Sequence, residues 1–216
     1  MDELLKTVTD HYTKAEYDKG IDLLLKNKEK FDSGLFHYNL GTFFLKKENY
    51  AVARFHLEKA AKLGFLNKSL YNNLSYAQDK LNVTMLEKSD KLLENVLYSF
   101  LDYGSTLYLN VALFLGVVIL VCQRLKIINS KLKVMVLIFL FFIPFLFSIY
   151  SQKNYKYAII LKASDIREGP SGIFPKTREV AAGLKVIVDR TVDGWSFIKY
   201  PDSAVGWIDK NEIGIY

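Results

Sequence analysis

With 216 residues, a single cysteine and a net charge of +6, the chain cannot form an internal disulfide, and its basic excess is local rather than spread. Residues 1–102 carry 15 Lys/Arg against 15 Asp/Glu, and residues 134–216 carry ten against eight, so the rest of the excess sits in "RLKIINSKLK", Arg124 to Lys133. A nucleic-acid footprint needs a basic stripe on a folded face, and this distribution excludes that partner class.

The first 82 residues show helical spacing and self-similarity. A shift of 33 sets Tyr17 over Tyr50, Gly20 over Ala53 and Leu24 over Leu57; a shift of 34 sets Leu40 over Leu74. That period belongs to stacked helix pairs, which bury their apolar faces only against neighbours. In the clearest unit, "FHYNLGTFFLKKENYAVARFHLEKAAKLGF", Leu40, Gly41 and Phe44 share one helix face and Ala53, Leu57 and Ala60 share the next. "KKEN" supplies the turn, with Asn49 the expected N-cap of the second helix.

From Val83 to Leu101, "VTMLEKSDKLLENVLYSFL" keeps helical spacing and reads as an amphipathic connecting helix over 83–102. Residues 103–123 and 134–152 form uncharged stretches of 21 and 19 residues, each long enough for a hydrocarbon core about 30 Å thick. They are expected to be two membrane helices joined by the basic loop 124–133, which the charge rule holds in the cytoplasm. The start, "MDELLKTVTD", is not a signal peptide, so placing the flanking domains outside expects an export signal upstream of the given chain.

Beyond Gln152 the period changes to short β-branched runs: "YAIILKAS", "LKVIVDR", and a hairpin signal at Asp193-Gly194. Four or five strands in residues 153–216 suggest a small barrel or sandwich.

No nucleophile, phosphate-loop or dinucleotide motif is present, and His11, His37 and His56 lack metal-ligand spacing. The histidines read as packing or surface residues, and Cys122 as inert packing. The expectation is a protein with no catalytic residue, no cofactor and no metal.

Leu40, Gly41, Phe44, Tyr50, Ala53, Leu57 and Ala60 resemble the tetratricopeptide repeat, with residues 1–33 a degenerate copy and Ser69–Asn82 its capping helix. "REGPSG", Gly183, "GWSFI" and "GWI" resemble a bacterial SH3 domain. The fold class that these resemblances imply is multi-domain: an all-α repeat solenoid, a two-helix transmembrane hairpin and a small all-β SH3-like barrel. The domain order resembles the BatE-like proteins of bacterial aerotolerance operons. That resemblance implies a multi-pass inner-membrane scaffold with both folded domains periplasmic, assembling with von Willebrand-type and ATPase components. The alternative it leaves is peptidoglycan binding through the SH3-like domain. Repeat geometry places Tyr38, Asn39, Thr42, Asn72, Asn73 and Tyr76 in a partner-binding groove, where Asn39 matches an asparagine that grips the ligand backbone. The other clamp positions hold Leu5, Thr9, Ser69 and Asn73, so recognition of a terminal carboxylate is not implied. On the SH3-like part, Trp195 and Trp207 are the candidate ligand surface.

Overall fold

Three helix starts are fixed by side chains. Asp32 accepts from the Gly34 and Leu35 amides, Asn49 from Val52 and Asn67 from Leu70, each satisfying a donor that the first turn leaves open. They open α3 (Ser33–Lys46), α4 (Tyr50–Lys62) and α5 (Lys68–Leu81), which follow α1 (Asp2–Thr13) and α2 (Tyr17–Lys26). The computed structural model describes residues 2–82, 105–125 and 156–216, with single positions at 135, 146, 149 and 150. The chain divides into a compact unit made of residues 1–87 and 156–216 and a second unit of residues 88–155.

In the first unit, consecutive helices pack as antiparallel neighbours through small residues. A Cβ on Gly41 would lie 2.7 Å from Leu57 Cγ, so α3 and α4 approach only because no side chain stands there. Two positions matched by the 33-residue shift, Leu24 and Leu57, are both fully buried. One cluster holds Val8, Ile21, Leu24, Phe31, Phe36, Leu40 and Phe43; the next holds Leu45, Ala53, Leu57, Ala60, Leu70 and Ala77.

Residues 156–216 form one antiparallel sheet of seven strands: β1 (Lys156–Ile160), β2 (Ser164–Arg167), β3 (Lys176–Val180), β4 (Lys185–Val192), β5 (Trp195–Tyr200), β6 (Gly206–Asp209) and β7 (Ile213–Ile215). Their order is β3-β2-β6-β5-β4-β1-β7. The β4–β5 hairpin turns at Asp193 and Gly194, with φ of 48° and 83°, a pair of left-handed residues whose twist matches the flanking strands. One sheet face is the core of Ala158, Ile160, Ile166, Val186, Val188, Ile198 and Ile208. Tyr157 and Ile159 alternate with that set, yet they are buried as well. Burial on both faces explains the unbroken apolar run of β1, along which α4 packs.

These findings correct the expected fold class. A solenoid helix meets only its neighbours, whereas α4 and the end of α5 also meet the sheet: a Cβ on Gly183 would stand 2.5 Å from Leu81, and one on Gly214 the same distance from Phe55. The helices and the sheet therefore form one unit, not a free repeat domain and a separate four- or five-stranded SH3-like barrel. The sheet has seven strands where four or five were expected; among those missed is β3, "KTREV", whose exposed residues carry no alternation and which is held by edge pairing to β2.

The membrane expectation is corrected too. Among the described residues no helix is long and apolar enough to cross a membrane. Of the expected span 103–123 the structure describes the helix α6 (Ser105–Arg124). The two-span inner-membrane localisation and the sidedness built on it fall with that finding. The connecting helix 83–102, and nearly all of the loop 124–133 and of the span 134–152, lie outside the described residues.

Candidate functional site

Placed one turn apart on α3, Tyr38 and Thr42 face α5, because the buried stripe Phe36, Leu40, Phe43 occupies the other side. Thr42 Oγ1 donates to the Tyr38 carbonyl at 2.9 Å and accepts from Asn73 Nδ2 at 3.3 Å, which ties α3 to α5. The Tyr38 ring stacks on Phe65 at 4.7 Å. One turn before Thr42, Asn39 buries its Nδ2 with no hydrogen-bond partner among the described residues. A buried donor left unmade costs about 1–3 kcal/mol.

Of the six groove candidates, the structure brings together Tyr38, Asn39, Thr42 and Asn73. Asn72 lies exposed on α5, and Tyr76 turns its ring edge to Tyr50 at 6.2 Å, with Lys80 above it. The tryptophans separate. Trp207 is 8% exposed, packed on Phe197 at 5.3 Å and covered by the Arg190 guanidinium at 5.4 Å. Trp195, paired across the sheet with Asp209, lines a cleft of about 280 Å³ with Asp165, Arg167, Asp209 and Glu212. Those acids are engaged: Asp165 pairs with Lys176, Glu212 with Lys162, and Asp209 caps the turn at Asn211.

The junction between α4 and the sheet went unforeseen. Arg54 is fully buried and donates to the Gly183 carbonyl at 2.9 Å; Glu58, one turn on, lies 3.5 Å from Arg54 Nε as an ion pair without a hydrogen bond, and accepts from Lys185 at 3.2 Å and from the Tyr216 hydroxyl at 3.1 Å. Burial pushes the Glu58 carboxyl up, but the Lys185 and Arg54 charges and the bonds from Lys185 and Tyr216 outweigh it and hold it below the usual carboxylate range. A pair at i,i+4 in a helix is ordinarily a solvated surface feature. The one signal in the sequence was that Arg54 and Glu58 lie side by side on one flank of the apolar stripe Ala53, Leu57, Ala60.

The histidines also gain a specific arrangement. His37 Nδ1 and His56 Nδ1 stand 2.9 Å apart with the rings stacked, so one donates and the other accepts. Burial, then Lys59 and Lys28, lowers His37 to about 4, and burial, then His37 and Lys59, lowers His56 to about 3. Both are neutral at pH 7. Among the described residues no three His, Cys, Asp or Glu side chains are grouped to share a metal ion.

No family model, curated protein or solved structure matches the chain. What the sites can do therefore follows from their chemistry. The α3/α5 face offers aromatic and amide groups at the edge of a rigid pair of helices, a composition suited to gripping a polypeptide.

Proposed function

We propose that the protein is a non-catalytic scaffold that docks a partner polypeptide on the α3/α5 face, with Asn39 reading the partner's main chain. The observation that carries this reading is the unpartnered Asn39 amide beside the Thr42–Asn73 bridge. A half-turn of the terminal amide exchanges its two heavy atoms and carries the donor toward the open side, where an incoming carbonyl satisfies it. Tyr38 flanks the site, and Asn72 and Tyr76 lie further along α5. The von Willebrand-type and ATPase proteins that the aerotolerance resemblance implies are the first partners to try.

The test is photo-crosslinking in cells from an analogue placed at exposed Asn72, with and without Asn39→Ala. A discrete adduct with one of those partners that disappears in the Asn39→Ala protein, at unchanged thermal stability, supports the reading. An adduct that survives Asn39→Ala removes Asn39 from the role, and no adduct with any protein removes the face.

A further inference from the structure

Arg54 leaves part of its hydrogen-bonding capacity unmade. Its side chain is 1% exposed; Nη1 donates to the Gly183 carbonyl at 2.9 Å, while Nε and Nη2 are buried with no hydrogen-bond partner. Those two donors form one edge of the planar guanidinium, spaced to meet both oxygens of a carboxylate. The carboxylate in reach is Glu58, one turn further along α4, whose Oε1 stands 3.5 Å from Nε without bonding it.

The sheet holds Glu58 off. Its Oε2 accepts from Lys185 Nζ on β4 at 3.2 Å and from the Tyr216 hydroxyl at 3.1 Å. One carboxylate thus faces two demands, one from its own helix and one from the strands, and the docked state meets the second. Buried donors left unmade are a cost that native structures rarely carry, and here it falls on the docked state.

Tyr216 follows β7, the three-residue strand at one end of the sheet, which pairs with β1 so that Ala158 opposes Ile215, Ile159 opposes Gly214 and Ile160 opposes Ile213. The Tyr216 amide donates to the Tyr157 carbonyl at 2.9 Å, and its ring stands 6.2 Å from that of Phe55 and 6.3 Å from that of Tyr157. A short edge strand is the part of a sheet that opens most readily. Ile213 belongs to the buried sheet core and Ile215 is only partly buried against it, so the piece that lifts is the end carrying Ile215 and Tyr216.

We propose that Glu58 is a two-position latch between α4 and the end of β7. With Tyr216 seated, Glu58 bonds Lys185 and Tyr216. When Tyr216 lifts, Glu58 closes on the Nε and Nη2 edge of Arg54, while Lys185 keeps its place over the Tyr157 ring, 5.1 Å away. A bidentate charge-assisted pair then offsets the bonds that Glu58 gives up, and the lifted state is populated before the fold is lost. Lifting uncovers the Tyr157 carbonyl at the edge of β1 and the side of the Phe55 ring that Tyr216 covers. The latch is independent of docking on the α3/α5 face.

Nuclear magnetic resonance of the full chain tests this, with the Arg54 Nε–H signal assigned by its loss in Arg54→Lys. In the parent protein that signal lies near the position of an arginine without a carboxylate partner. In Tyr216→Phe it moves downfield and its hydrogen exchange slows about tenfold, as a new charge-assisted bond requires. Lys185→Gln loosens Glu58 Oε2 from the other side; it moves the signal the same way and serves if Tyr216→Phe does not fold. In the parent the Tyr216 amide is protected at least about tenfold less than the most protected amides of β4, because it exchanges by local opening. A Tyr216 with a merely structural role leaves the Arg54 signal in place in both variants, and that result overturns the latch. So does a parent signal already downfield and protected, or a Tyr216 amide that exchanges only together with those of β4.

Discussion

Replacing Glu58 by Gln keeps the shape of the side chain and removes the one charge that compensates the junction. Arg54, 1% exposed in its side chain, and Lys185, 13% exposed, then lose the carboxylate they share. Breaking a buried pair from one side costs about 3–5 kcal/mol, because the remaining ions keep their desolvation penalty. In a unit of this size that lowers the unfolding temperature by roughly 10 °C. The measurement is urea unfolding followed by two probes. Tryptophan fluorescence reports the sheet, since Trp195 and Trp207 are both there, while helical circular dichroism at 222 nm reports mainly on helices. In the parent protein the two transitions coincide, as one cooperative unit requires. In Glu58→Gln both fall and they separate, because the helices and the sheet lose their link. The companion Arg54→Met/Glu58→Leu/Lys185→Met removes all three charges and recovers most of the loss. A Glu58→Gln protein within about 0.5 kcal/mol of the parent, with coincident transitions, would refute the ionic account of the junction.

Other outcomes follow from the same geometry. Asn39→Leu removes an unsatisfied buried donor and leaves stability unchanged or raises it by about 1 kcal/mol, while abolishing the Asn72 crosslink; chemical denaturation and the crosslinking assay read the two effects. Leu57→Ala opens a cavity at the Gly41 contact and costs about 2–5 kcal/mol by the same denaturation. Stability falls in acid through His37 and His56. Their folded values, about 4 and about 3, lie below the unfolded value near 6.5, so the unfolded chain binds more protons in that window. The contribution is fully present above pH 6.5 and is lost progressively as pH falls toward 4. The double variant His37→Phe/His56→Leu flattens that part of the stability profile.

Local features were legible in the sequence. The cap at Asn49, the small-residue contact of Gly41 with Leu57, the burial of Leu24 and Leu57, and the Asp193-Gly194 turn each depend on neighbours within a few dozen residues. The long-range features were not. Arg54 and Glu58 look like an exposed helical pair until the sheet is laid over them, and β1 looks like any buried strand until α4 is found along it. The uncharged stretch 103–123 was read as a span from its length and apolar content, whereas among the described residues no helix is long and apolar enough to cross a membrane. For the candidate site, helical spacing indicated that Tyr38 and Thr42 share a face, but only packing showed that Asn39 lacks a partner. Trp207 could be core or surface in sequence, because a tryptophan in a strand looks the same whether Arg190 and Phe197 cover it or solvent does; the structure buries it.

The junction also dictates an order of events during synthesis. Arg54 bonds a carbonyl 129 residues further along the chain, and Glu58 receives a hydroxyl 158 residues further along. At about 5–20 residues per second, α4 is complete roughly ten seconds or more before Tyr216 exists to meet it. A helix face made of leucines would spend that interval as a sticky surface. Arg54 and Glu58, able to pair with each other across one turn, keep the face wetted until the sheet arrives, which accounts for an ionic seam where an apolar one would be more stable in the finished protein.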